Sequence, residues 1–289
     1  MGQRSKNRKQ QRDTQRKRKQ IITAGVAIVV VAVLFLIIAI TLNQPTEAPI
    51  PSETVVRYEG IESGFTEAGF PRLGAEDSPV QVVEYSSFDC PSCAAFHDAS
   101  TPALVERVRA GDISFTYVPL YGTGGIANGA GAARAAVCAG RQGAFWEMHD
   151  ALFTWQGLYG NQAFTQARIL SGVNALGLNQ SEFTTCFSSP NTEGILNLAI
   201  SAFNELSGAR GTPTITVNGV IASSPSLEVV NADIDSARAF LGLDQNTDPE
   251  ATETLESEVQ STETPVTDSE ATETPETEAE LTPEATAEQ

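Results

Sequence analysis

Two cysteines separated by Pro91 and Ser92 are the residues best placed for chemistry in this 289-residue chain. They follow Val80-Gln81-Val82-Val83-Glu84-Tyr85, a β-rich apolar run, through the turn Ser86-Ser87-Phe88-Asp89. Pro91 suits the first position of a helix, where its missing N–H costs nothing. The pattern therefore sets Cys90 at a helix N-terminus, facing unpaired N–H groups and the positive end of the helix dipole. That placement favours thiolate, the attacking species. At a reference pKa near 8.5 only about 3% of a thiol is ionised at pH 7. A fall of a few units ionises most of it, and because only the dithiol gains, the disulfide becomes more oxidising. Cys93 lies one turn on, where it can form or resolve a disulfide with Cys90.

Other readings compete for these residues. A single Cys-x-x-Cys is also half of a zinc site or a plain structural bridge, but zinc wants four ligands. His97 could supply a third, and no second Cys or His pair is spaced to complete the set, so no metal site is expected. His97 reads instead as a helix residue covering the flank of the site. Glu84, six residues before Cys90, is either a strand-edge carboxylate facing water or a buried acid with a raised pKa suited to proton transfer. Asp89 sets a carboxylate beside Cys90 that would oppose thiolate formation. Trp146, Met148 and His149 read as packing residues.

The elements that must position the pair follow from the pattern. Residues 80–85 form a strand, residues 91–110 a helix kinked near Pro102, and Ile113 to Leu120 a second strand. Strand, helix, strand is a crossover unit and implies a parallel pair. From about 123 to 208 only helices are expected: 132–139, 145–153, 162–176, 180–187 and 192–207. Strand signal returns at Thr214 to Val217, turns at Asn218-Gly219 and resumes at Val220-Ile221. An amphipathic helix over about 226–242 closes the domain.

Three separated motifs now resemble one family. Gly74-Ala75-Glu76-Asp77-Ser78-Pro79-Val80 with Phe88-Asp89-Cys90-Pro91-Ser92-Cys93, the run from Ala136-Val137-Cys138-Ala139 through Phe153, and Arg210-Gly211-Thr212-Pro213-Thr214 are similar to the DsbA-like thiol–disulfide oxidoreductases of the thioredoxin superfamily. The resemblance covers 64–243. It implies an α/β, thioredoxin-like fold with a helical domain inserted over about 121–208. It also implies that Pro213 is a cis-proline holding the Thr212 backbone beside Cys90, where a substrate peptide adds as a strand. Glu84 would then help move the proton of Cys93. The dipeptide Pro91-Ser92 departs from the Pro-His of the best-known oxidising members. With Cys90 and Cys93 paired, Cys138 and Cys186 remain for a structural disulfide like that of some relatives, a second redox relay being the alternative. The implied activity is protein disulfide oxidation without a prosthetic group. The implied reoxidation partner is a quinone-linked membrane protein of the DsbB or vitamin K epoxide reductase type. The alternatives are a reductase or isomerase of the same fold, or a non-catalytic copper-delivery module.

Charge and hydropathy place the domain. Residues 1–20 carry nine Lys/Arg and one acid, and every Lys of the chain lies there. Ile21 to Leu42 is 22 residues without a charge. As a helix it spans roughly 33 Å, enough for a hydrocarbon core of about 30 Å. The one-sided basic charge predicts a cytoplasmic N-terminus, a single-pass anchor at 21–42 and an extracytoplasmic domain acting on exported proteins with free thiols. The apolar run is longer than that of a cleaved signal peptide, and no small-x-small site follows it. Residues 43–63, with Pro45, Pro49 and Pro51, read as an extended linker. Residues 244–289 hold fifteen acids and no base, with Thr-Glu-Thr at 252, 262 and 272, and read as a disordered tail. The remaining body is acidic, which disfavours nucleic-acid binding. A monomer is expected.

Overall fold

The computed structural model describes Lys19, residues 22–36 and residues 46–243. Residues 22–36 are helical. Among the described residues no helix is long and apolar enough to cross a membrane. The rest of the apolar run and the acidic segment 244–289 lie outside the described residues.

Apolar strands β3 (Gln81–Ser87) and β4 (Ser114–Leu120) pair in parallel, from Gln81 opposite Ser114 to Ser87 opposite Leu120. All seven residues of β4 are buried, as a strand covered on both faces should be. Between them runs α2 (Pro91–Arg109), continuous through Pro102. It turns Cys93, Phe96, His97, Ser100, Thr101, Leu104, Val105 and Val108 inward, a helical stripe of threes and fours. The hairpin β5 (Thr214–Val217) and β6 (Val220–Ile221) adds antiparallel to β3 and turns at Asn218-Gly219, both with positive φ. Two three-residue strands that the residue pattern does not reveal, β1 (Ser63–Phe65) and β2 (Pro71–Leu73), extend the sheet beyond β4. The order is β1-β2-β4-β3-β5-β6.

Between β4 and β5 lies the helical insertion: α3 (Gly129–Gly140), α4 (Phe145–Tyr159), α5 (Gln166–Ala175), α6 (Gln180–Phe187) and α7 (Pro190–Glu205). Helix α8 (Leu227–Phe240) closes the domain. The sequence dictates several of these starts directly. Thr165, Asn179, Ser189 and Ser226 each accept a backbone N–H of the first turn that they cap. The bond Cys138–Cys186 ties α3 to α6 across 48 residues. Replacing both cysteines with Ala is expected to cost about 4 kcal/mol in the chain-entropy account. Chemical denaturation of the two forms measures it.

The segment expected as an extended linker is a correction. From residue 46 it is folded against the domain and contains a helix, α1 (Ser52–Tyr58). The indole N–H of Trp155 donates to Pro49 O at 2.8 Å, and Arg168 reaches Glu47 O while its guanidinium lies 3.4 Å from the centre of the Tyr159 ring. Thr54, Arg57 and Tyr58 all bond Asp150 of α4. Proline and polar residues favour an extended chain only where nothing on the domain can satisfy them. Here Trp155, Arg168 and Asp150 do.

Candidate active site

Cys90 is the N-cap of α2, in extended backbone conformation, with Pro91 next as expected. Its carbonyl accepts the N–H groups of Cys93 (3.1 Å) and Ala94 (3.2 Å), and also the Gln156 amide at 3.2 Å. The same Gln156 nitrogen donates to Phe88 O at 2.5 Å, so α4 grips the turn that carries the cysteine. Both Cys90 and Cys93 are thiols here and both are buried.

The Cys90 sulfur lies 3.0 Å from the Ser92 hydroxyl and 3.4 Å from Thr212 O, and Ser92 in turn donates to Thr212 O at 2.9 Å. The Thr212–Pro213 bond is cis. Thr212 and Pro213 thus stand where the resemblance implies, beside the reactive sulfur. Ser92 has one hydroxyl hydrogen. With Cys90 as a thiol it goes to Thr212 O; once Cys90 ionises, it can turn to the sulfur. Hydrogen bonds, from Cys93 first and then from Ser92, outweigh the cost of burial and hold Cys90 at about 4. The Cys93 thiol goes the other way. Burial first, then the bond it gives Cys90, pushes it far above the usual thiol range. One sulfur is thus suited to attack and to leave as an anion, while the other keeps its proton.

Glu84 does not face water. It sits in β3 between Tyr117 of β4 and Ile215 of β5, fully buried, with no hydrogen-bond partner for either oxygen. Burial raises it to about 7, partly offset by the nearby Ser86 hydroxyl and the charge of His97. Ser86 and Tyr117 neighbour both Glu84 and Cys93, and a carboxyl poised near 7 is suited to taking and returning a proton. The raised value also has a stability cost. Relative to an unfolded carboxyl at 4.5, the native state loses stability as pH rises from 4.5 through 7. Glu84→Gln removes that loss, so the variant should gain on the parent by up to about 3 kcal/mol between pH 5 and pH 8. Denaturation at the two pH values checks this. Slower resolution of a mixed disulfide by Cys93 should accompany it.

Asp89 is buried with both oxygens engaged, one by the Ser87 hydroxyl and one by Gly122 N–H at 2.9 Å. It pins the loop after β4 onto the active-site turn. A Cβ on Gly124 would lie 2.0 Å from Asp89 O and 2.2 Å from Cys90 Cα, so only glycine lets the loop pass there. Thr123 on this loop accepts the Thr212 hydroxyl at 2.8 Å. Thr123, Gly124 and Gln156 were not singled out from the sequence. The run Gly122-Thr123-Gly124-Gly125 directly after a strand was the available signal.

His97 and His149 are not bland packing residues. Asp150 Oδ1 lies 2.9 Å from His97 Nε2, 3.2 Å from His149 Nδ1 and 2.8 Å from the Tyr58 hydroxyl. Its Oδ2 takes Thr54 at 2.9 Å and Arg57 at 2.5 Å. Burial disfavours a charged His97, but Asp150 and Asp98 win and raise it to about 9. Burial lowers His149 to about 4. Asp150 stays well below the usual carboxylate range, because its donors outweigh its own burial. His97, His149 and Asp150 cluster closely enough to ligate a metal. With Arg57 and four other donors already on the carboxylate, the arrangement is an internal ion pair. Trp146 and Met148 are buried as expected.

Comparison with known proteins accords with this geometry. The thioredoxin family model matches residues 67–236, more than half of the chain. The chain belongs to the thioredoxin family. It is 33% identical over 167 residues to the Na(+)/H(+) antiporter NhaA 3 of Salinispora tropica, a match covering 57% of this chain and 24% of that protein. It is 28% identical over 161 residues to disulfide bond formation protein D of Bacillus subtilis, covering 52% of this chain and 68% of the relative. The chain spans about a quarter of the length of the first curated relatives it matches. Among solved structures, oxidised BdbD of Bacillus subtilis superposes with a TM-score of 0.53 at 23% identity, over 61% of this chain and 97% of that one. At that identity the likeness concerns the fold: a thioredoxin-like sheet with a helical insertion.

Proposed function

We propose that this chain is a thiol–disulfide oxidoreductase that oxidises protein thiols outside the cytoplasmic membrane. The observation that carries the reading is the divided pair: a stabilised Cys90 thiolate beside Thr212 and Pro213, backed by a buried Cys93 thiol and the unpaired Glu84. In the oxidised enzyme a substrate thiolate attacks Cys90 Sγ. A substrate–Cys90 disulfide forms, the Cys90–Cys93 bond breaks, and Cys93 leaves with the electron pair and takes a proton from Glu84. A second substrate thiolate then attacks the first substrate sulfur and expels Cys90 as its stable thiolate. The substrate loses two electrons to the enzyme and two protons to solvent; the enzyme is left with a Cys90 thiolate and a Cys93 thiol, and Glu84 regains its proton from solvent. No prosthetic group takes part.

The stability of the departing Cys90 thiolate favours this direction, since it lowers the energy of the reduced enzyme alone. The basic segment 1–20 and the uncharged run 21–42 support an anchored domain with a cytoplasmic N-terminus. Exported proteins with free thiols are then the substrates, and a quinone-linked membrane oxidase of the DsbB or vitamin K epoxide reductase type the reoxidant. The folded unit works as a monomer, its site being complete within one chain. Titration against glutathione tests the direction. A midpoint near −120 mV supports oxidation, whereas one near −270 mV would assign the reductase role.

A further inference from the structure

The strap formed by residues 46–58 runs antiparallel along α4. Tyr58 packs its ring 5.7 Å from Trp146, Thr54 meets Asp150, Pro49 meets Trp155, and Glu47 reaches the Tyr159 hydroxyl at 3.4 Å. The strap therefore begins at the C-terminal end of α4. Gln156, at that same end, holds the carbonyls of Phe88 and Cys90. The point where the chain joins the domain and the reactive cysteine thus share one end of the molecule.

We propose that the strap turns this end toward the bilayer, with Leu158 at headgroup level, so that Cys90 meets thiols and disulfides presented at the membrane surface. The inference rests on the anchored reading above. From Leu42 to Glu47 the chain can extend at most about 17 Å. The headgroup layer takes up roughly 6 Å of that, while a folded unit of this size is roughly 40 Å across. A chain fastened at Glu47 cannot present the far side of such a body to the lipid. The surface at this end suits the contact. Leu158 is 60% exposed, and residues 151–167 contain no charge, as is also true of 211–227 around Val220, so the tether and not the charge pattern selects this end. No charged group in this segment has to be desolvated against the headgroups. At the opposite end of the sheet, Val220 is equally apolar and 72% exposed. It pairs with Val217, which faces Val82 near the start of β3, the end of that strand remote from Cys90.

The test uses the full chain in phosphatidylcholine vesicles whose acyl chains carry a nitroxide quencher near the headgroup. A fluorescent amino acid replaces either Leu158 or Val220. Several-fold stronger quenching at 158 than at 220 is expected. Inserting about 20 Gly/Ser residues between Asn43 and Gln44, a span that flexible chains of this kind bridge easily, should erase the difference and leave reduction of a small soluble disulfide unchanged. Equal quenching in protein that floats with the vesicles overturns the proposal and spares the anchored reading. Failure to float overturns both.

Discussion

Alkylation of Cys90 in the reduced protein is expected to titrate with a midpoint near pH 4, not near the pH 8.5 of a free thiol. Cys93 should stay unmodified throughout the accessible range, because burial and its bond to Cys90 keep it protonated. Mass spectrometry after timed iodoacetamide treatment separates the two. The same shift makes a stability statement. A thiol held at about 4 when folded, against about 9 when unfolded, contributes stability that is complete above pH 9. That contribution shrinks as pH falls and is gone below about pH 4. The disulfide form has no such group. At pH 7 the reduced protein should therefore melt above the oxidised one, and the gap should close on acidification toward pH 4. A reduced form that melts lower at pH 7 would contradict the oxidase direction as well as the thiolate. Ser92→Ala should raise the alkylation midpoint, since it removes a donor 3.0 Å from the sulfur.

Asp150→Ala should be the most damaging substitution outside the cysteine pair. Asp150 is buried and neutralises His97 and Arg57 while accepting Thr54, Tyr58 and His149. Removing one partner of a buried ion pair leaves an uncompensated charge, at a cost of about 3–5 kcal/mol. Urea denaturation of the oxidised protein measures it without interference from Cys90. The pH dependence identifies the cause. His97 is raised from 6.5 to about 9, so its contribution is full below pH 6.5 and lost as pH climbs through 9. His149 is lowered from 6.5 to about 4, so its contribution is full above pH 6.5 and lost as pH falls through 4. The cluster's combined contribution peaks near pH 6.5. Asp150→Asn, which keeps the shape but not the charge, should lose the alkaline limb first, because His97 then has only Asp98 to hold its proton. A variant that loses stability equally at every pH would mean that packing, not charge, is what Asp150 supplies.

The placement of Cys90 was readable because its signals are local. A strand, a short turn, a cysteine and a proline at the first helical position specify a thiol at a helix start within about ten residues, whatever the rest of the fold does. The crossover unit, the helical block and the final hairpin follow from periods of 2 and 3.6 in the same way. Glu84 stayed ambiguous because period alone does not say whether a strand is central or at an edge. That depended on β5 pairing on one side and β4 on the other.

The features left to tertiary structure join residues far apart in the chain. Asp150 meets Thr54 across 96 residues and His97 across 53, and Gln156 meets Cys90 across 66. Nothing in a window of neighbouring residues marks such pairs. A histidine on an apolar helix face looks the same whether it fills space or carries a buried charge. Strands of three residues are likewise too short to show a period, and the strap's prolines describe a chain with nothing to hold, until Trp155, Arg168 and Asp150 are folded into place beside it. Composition and spacing singled out the thiol at the helix start, since a thiol's ionisation responds first to the dipoles a few ångströms away. Which charges survive burial, and which end of the domain the N-terminal segment joins, depended on the packing of distant elements, because desolvation and ion pairing are properties of the assembled interior.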